Sequence, residues 1–280
     1  MSDSIRQQLS LWGIELCAPI PLSVCHIINE RKLERCNFPD GAELYAYMMA
    51  IPYMTPQKSR NISAYAVSRD YHGFYAAMFA DVLPRLRTLH PQYCFFGFAD
   101  SSPIDERDAA ARAGLGIIGD NGLIITEKYS SYIFLGEIIT DMPLDCKVHE
   151  IERCRSCGSC RRACPMEEIG CCLSALTQKK GELSDFERDT IVKYGSAWGC
   201  DRCQEVCPHT KAAIKSGSIY TNIEYFREKT IPYLTLSALD EMSDEEFSAR
   251  AFSWRGRKTI ERNLEILEKS PQNNSIKDEK

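Results

Sequence analysis

The chain has 280 residues, with 34 Lys/Arg against 39 Asp/Glu, a net charge of −5 at pH 7, and 44% hydrophobic residues. That is enough apolar material for one large domain or two modest ones. Residues 1–150 carry 13 basic and 18 acidic side chains and residues 151–280 carry 21 of each, which excludes a general polyanion binder and leaves nucleic-acid contact to local patches.

In chain order, the polar start Met1–Gly13 lacks the layout of a signal peptide. No apolar run reaches the roughly 18 residues a membrane helix needs. The protein reads as cytoplasmic and soluble, with no membrane partner. Residues 39–50 (PDGAELYAYMMA) predict a helix. Residues 70–90 predict an amphipathic helix with Phe74, Met78, Val82 and Leu86 on one stripe. Tyr93–Ala99 reads as a buried strand. Ser102-Pro103-Ile104-Asp105 then reads as a helix start, with Ser102 as N-cap and Pro103 in the first turn. That helix runs to Ala113 and stops at Gly114. Residues 122–126 and 132–139 predict two more strands around a turn at 127–130. Residues 237–268 predict helix, with Ser243 as a cap. The fold class is α+β: a mixed α/β domain over 1–145, a ferredoxin-like cysteine domain over 146–218, a helical extension over 219–268 and a disordered tail over 269–280.

Nine of the fourteen cysteines fall from Cys154 to Cys207. Without a signal peptide, metal ligation is a better account of them than disulfides. The first motif is Cys154-x2-Cys157-x2-Cys160-x3-Cys164-Pro165; the second is Cys200-x2-Cys203-x3-Cys207-Pro208. A tight loop of this spacing wraps three thiolates around one cubane, and the cysteine before the proline ligates the other cluster. Cys154, Cys157, Cys160 and Cys207 therefore form one 4Fe–4S site, and Cys164, Cys200 and Cys203 form most of a second. Zinc knuckles favour separated ligand pairs rather than this three-plus-one run. The eighth ligand is open among Cys171, Cys172 and His209. Cys17, Cys25, Cys36, Cys94 and Cys146 are scattered and read as ordinary side chains.

Two clusters make an electron wire, and the N-terminal half must supply its terminus. Asp100, at the end of an apolar strand, reads either as a turn aspartate or as a partly buried proton donor. Asp105 and Glu106 read as helix-start acids. Asp70-Tyr71-His72-Gly73 resembles the start of the histidine-ligating cobalamin motif, but Tyr75 stands where that motif has glycine, so His72 reads as a helix-surface or pocket residue.

Several stretches together resemble the epoxyqueuosine reductase family: Arg69-Asp70-Tyr71-His72, residues 98–125 (FADSSPIDERDAAARAGLGIIGDNGLII), residues 130–144 (SSYIFLGEIITDMPL), residues 199–208 (GCDRCQEVCP), and Cys172-Leu173-Ser174-Ala175-Leu176-Thr177. The resemblance implies a cobalamin-dependent enzyme that deoxygenates epoxyqueuosine in tRNA, with two 4Fe–4S clusters feeding the cobalamin. It implies Cys172 as the eighth ligand and Asp100 as the proton donor. It also implies Arg69, Tyr71, Asp100, Gly119, Asn121 and Ser174 as cofactor contacts. The implied partners are a tRNA with a GUN anticodon and an electron donor such as flavodoxin or ferredoxin. The chain departs from the family at Gly119-Asp120-Asn121, where a lysine gives way to an acid, and at His209-Thr210. It is also shorter than members that carry C-terminal helical repeats. A related small-molecule reductase and a ferredoxin-like carrier are the competing readings. Candidate RNA contacts are Arg153, Arg155, Arg161 and Arg162, and further on Arg250, Arg255, Arg257, Lys258 and Arg262.

Overall fold

A computed structural model describes residues 2–270 of the chain. Its elements in order are α1 (Ser2–Ser10), β1 (Leu16–Pro21), α2 (Glu30–Glu34), β2 (Tyr45–Pro52), α3 (Tyr71–Leu89), β3 (Phe95–Phe98), α4 (Glu106–Arg112), β4 (Ile117–Ile118), β5 (Ile124–Ile125) and β6 (Ile133–Thr140). There follow α5 (Ser159–Ala163), α6 (Leu173–Thr177), α7 (Asp185–Tyr194), α8 (Arg202–Glu205), α9 (Pro208–Ser216), α10 (Glu224–Arg227), α11 (Leu236–Asp240), α12 (Asp244–Ser248) and α13 (Arg257–Glu268). No helix among the described residues is long and apolar enough to cross a membrane. Lys269 and Ser270 close the turn after α13; residues 271–280 of the expected tail lie outside the described residues.

The elements form two compact units, each assembled from separated stretches of chain. The first takes residues 1–53, 71–158 and 207–223; the second takes 54–70, 159–206 and 224 onward.

The first unit is built on an antiparallel sheet of order β1-β2-β6-β3. Its central strand β2 corrects the helix expected over 39–50. All eight of its residues are buried. A helix would bury one stripe of Tyr-Ala-Tyr-Met-Met-Ala, whereas a central strand covered on both faces buries every side chain, and that burial overrides the helix propensity of Ala and Met. On one face Ala46, Met48, Ala50 and Ile139 pack with Ala109, Ala110 and Ala111 of α4. On the other, a Cβ at Gly136 would lie 2.5 Å from the Tyr75 ring, so α3 approaches the sheet where side chains are missing. Phe74, Met78, Val82 and Leu86 are buried along α3 as its periodicity predicts. β3 is an edge strand with only Phe95 buried, not the buried strand expected. The start of α4 is also three residues later than expected: Asp105 is the N-cap, accepting from the Arg107 and Asp108 N–H groups. Ser102 turns instead to Glu137.

The second unit is helical around Trp198, Phe252, Ile191, Ile260 and Leu264. Its helices are short, and buried polar side chains tie the loops between them. Asn263 Nδ2 donates to Thr177 O and Ala197 O at 2.6 and 2.8 Å. Asp201 accepts from Ser63 Oγ and the Ala64 N–H at 2.6 and 2.7 Å. The helical stretch expected over 237–268 is three helices, with Ser243 forming a capping box on α12.

Candidate functional site

Asp100 follows β3 with φ +62°, a left-handed conformation that non-glycine residues adopt at a cost. Its N–H donates to Glu106 Oε1 at 3.1 Å. Lys32 Nζ donates to Ser101 O and Oγ next door. The Asp100 side chain is 67% exposed, with Oδ2 3.7 Å from His72 Nε2. The partial burial expected for this carboxyl is therefore absent. Burial falls instead on Glu106 and Glu137, raising Glu106 to about 7 and Glu137 well above the usual glutamate range. Glu106 is thus more than a helix-start acid. The pair's one sequence signal was an acid inside the apolar strand Phe134-Leu135-Gly136-Glu137-Ile138-Ile139.

Beside Asp100, the Tyr71 ring lies 4.2 Å from that of His72 and stacks on Phe134 at 4.2 Å. Gly119 and Asn121 shape the turn between β4 and β5: the Gly119 N–H donates to Leu123 O, and Asn121 Oδ1 accepts from the Leu123 N–H. Between them Asp120, the departure from the family pattern, faces the first cysteine motif. Its N–H donates to Cys154 Sγ at 3.3 Å and its carboxylate accepts from Ser156 Oγ at 3.1 Å. Arg69 and Ser174 belong to the second unit. Arg69 lies over the Tyr225 ring at 4.0 Å and pairs with Glu228 at 3.4 Å. Ser174 Oγ accepts from Gln178 Nε2.

The cysteines expected as ligands are divided. Cys154, Cys157 and Cys207 are in the first unit; Cys160, Cys164, Cys172, Cys200 and Cys203 are in the second. α5, which carries Cys160, packs on α8, which carries Cys203. Cys164 and Cys200 border the same apolar core. Cys200 is pushed up to about 11, chiefly by burial, with Asp201 and Cys172 adding to it. Cys172 caps α6 near Cys200, while the exposed Cys171 directs its thiol to Cys172 O at 3.6 Å. Cys207 caps α9 ahead of Pro208. Thr210, three residues on, is buried with Oγ1 2.7 Å from Ser130 Oγ. No disulfide joins any of the fourteen cysteines. Among the described residues no group of three or more His, Cys, Asp or Glu side chains is gathered as a metal cage. Burial raises the thiols of Cys17, Cys25, Cys36, Cys94 and Cys146, in keeping with inert side chains.

The basic residues separate by environment. Arg153, Arg155, Arg161 and Arg162 are exposed. Of the C-terminal group, Arg250 is buried and donates to Lys229 O, Arg257 donates to Leu239 O and Met242 O, and Arg262 donates to Gly181 O. These three serve the fold, whereas Lys258 is exposed and Arg255 lies on the exposed Trp254 ring at 3.7 Å.

Comparison with known proteins extends this geometry. Residues 151–167 match a 4Fe-4S binding domain. The chain is 29% identical over 261 residues to the epoxyqueuosine reductase of Listeria monocytogenes, covering 86% of this chain and 67% of that protein. It is 32% identical over 254 residues to the epoxyqueuosine reductase of Bacillus subtilis, covering 84% and 65%. The chain thus spans about two thirds of the length of these relatives. A crystal structure of epoxyqueuosine reductase with an epoxyqueuosine-modified tRNA stem loop is 26% identical, with a TM-score of 0.73 over 95% of this chain and 80% of that one. With a mixed α/β unit and a 4Fe–4S segment, the chain is thus similar to epoxyqueuosine reductases over most of its length.

Proposed function

We propose that the protein is an oxidoreductase that converts epoxyqueuosine to queuosine in tRNA, using two 4Fe–4S clusters and cobalamin. The observation that carries the reading is the Asp100 carboxylate, held by its own backbone at an open ledge beside a stacked aromatic pair.

The side chains present fit both cofactors. The seven thiols of the two motifs together with Cys172 make the donor set of two cubanes, and the Asp120 N–H aimed at Cys154 Sγ is the kind of donor that stabilises a ligating thiolate. Cys154, Cys157, Cys160 and Cys207 would hold one cluster; Cys164, Cys172, Cys200 and Cys203 the other. A corrin needs an apolar face with a proton source at its edge, and the Tyr71–Phe134 stack with Asp100 beside it offers both. Tyr71, Asp100, Gly119, Asn121, Arg69 and Ser174 are its assigned contacts, and His72, which faces Asp100, is not assigned as a cobalt ligand. Bound cobalamin supplies the electron transfer to the epoxide, and the clusters supply single electrons from a donor such as flavodoxin or ferredoxin.

Opening an epoxide to an alkene consumes two electrons and two protons and releases water. Neither cofactor brings a proton, so an acid must stand at the departing oxygen. Asp100, exposed on its ledge, donates that proton and is reloaded from solvent. Exposed Arg153, Arg155, Arg161, Arg162 and Lys258 are the cations available to the phosphates of a GUN-anticodon tRNA.

Asp100→Asn keeps the shape and removes the acid. Assayed anaerobically with a strong artificial reductant and epoxyqueuosine-containing tRNA, it should keep its iron and cobalamin and lose roughly 10²-fold or more in turnover. Near-normal turnover would remove Asp100 from the mechanism. No turnover by the unmutated protein would overturn the substrate assignment.

A further inference from the structure

Beneath the Asp100 loop lies a pair of acids that the reaction as written does not use. Glu137 stands in β6 opposite Met48 of β2 and Phe98 of β3, and is fully buried. One of its oxygens accepts from Ser102 Oγ. The other, Oε2, is buried without a hydrogen-bond partner, although the Glu106 carboxyl stands alongside. Two ionised carboxylates are not stable face to face in such a place, and a proton shared between them supplies the donor that Oε2 lacks. Glu106 in turn holds Asp100, through the N–H that Oε1 accepts at 3.1 Å.

We propose that Glu106 and Glu137 are positioning residues that latch the Asp100 loop, Glu106 gripping the Asp100 peptide and Glu137 gripping Glu106 through a shared proton. The inference rests on the reading of Asp100 as the reaction's acid. A loop that holds a non-glycine residue at φ +62° needs such support. Lys32 supplies it at Ser101, and the glutamate pair supplies it at Asp100 itself.

The groups facing the pair come from each element around it. They are Asp100 and Ser102 from the loop, Asp105 from the start of α4, Tyr75 and beyond it Tyr71 from α3, Lys32 from α2, and Cys25 from the turn after β1. Lys32 is the one cation among these named groups. Burial is the largest influence on both glutamates, and the Asp100 N–H pulls Glu106 back toward its ionised form. Linkage makes this reciprocal: an ionised Glu106 is the stronger acceptor and grips the loop more tightly. Grip therefore rises as pH rises through about 7, the value reached by Glu106. Global stability runs the other way. Both pKa values are raised by folding, so the stability linked to them is full below the ordinary 4.5 and is lost as pH climbs through the folded values.

Hydrogen–deuterium exchange of the full, anaerobically purified chain reads the latch without any turnover. Protection of residues 99–104, taken relative to the intrinsic rate at each pH, should rise from pH 6 to pH 8, by about tenfold if docking is worth one pKa unit to Glu106. Glu106→Gln should flatten that rise. Glu137→Gln, whose amide donates to Glu106, should move it to lower pH. On the tRNA substrate, Glu106→Gln should remove the acid limb of the kcat profile and leave KM nearly unchanged. Flat protection in the unmutated chain, or an undiminished rise in Glu106→Gln, overturns the latch. Should Glu106→Gln fail to fold, the unmutated chain and Glu137→Gln decide it. A latch that behaves as stated in a chain that does not turn over the tRNA overturns the proposed reaction instead.

Discussion

Around Asp100, a fully buried Glu137, a half-buried Glu106 and Lys32 hold a loop that projects an exposed carboxylate. The cysteine-bearing stretches are held far more lightly. Cys157, Cys171 and Cys172 are exposed, and the helices carrying Cys160 and Cys203 are five and four residues long. A helix so short is marginal on its own and takes its stability from what it packs against or binds. The Asp100 loop is therefore organised by the protein, while the cysteine loops are of the kind a bound cluster completes, coupling metal binding to folding.

The largest effects should come from the lightly held region. Cys207→Ala should strip the cluster of the first motif, far away in sequence, and anaerobically reconstituted protein should fall from about eight irons per chain to about four. Cys172→Ala should likewise cost one cluster and Cys171→Ala none, read by iron content and electron paramagnetic resonance. The reverse result would exchange the two assignments, and stoichiometric zinc without iron would break the comparison altogether.

A smaller effect sharpens the other side. Gly136→Ala places a methyl 2.5 Å from the buried Tyr75 ring, which has no room to retreat. Overpacking of this kind costs on the order of 1–3 kcal/mol. Denaturant unfolding should show that loss with both clusters intact; a loss of iron instead would mean that the sheet and the cysteine loops do not melt independently. The smallest effect expected is that of Ser243→Ala, which removes the reciprocal capping of α12 by Ser243 and Glu246. It should cost roughly 1 kcal/mol and change neither iron content nor turnover.

How much of this could be read from the residues depended on how local the cause was. The stripe of α3, the stop at Gly114 and the Ser243 cap are set by neighbours three or four residues away, and each appears where its pattern places it. Tyr-Ala-Tyr-Met-Met-Ala by itself suits a helix, and only the seat of β2 between β1 and β6 makes a strand the better burial. Ser102 has the local pattern of a cap, but the partner that claims its hydroxyl, Glu137, is 35 residues away.

The cysteine spacing by itself determined the metal chemistry, because three thiolates within one tight loop can wrap a cubane whatever surrounds them. The same local logic put a carboxylate after the apolar strand at Asp100. What only the tertiary structure decided is how that carboxylate is held and which acids are buried. Glu106 and Glu137 are 31 residues apart and meet because β6 pairs with β3 in one register. A one-residue slip would turn Glu137 to the opposite face of the sheet, and no local pattern encodes that register.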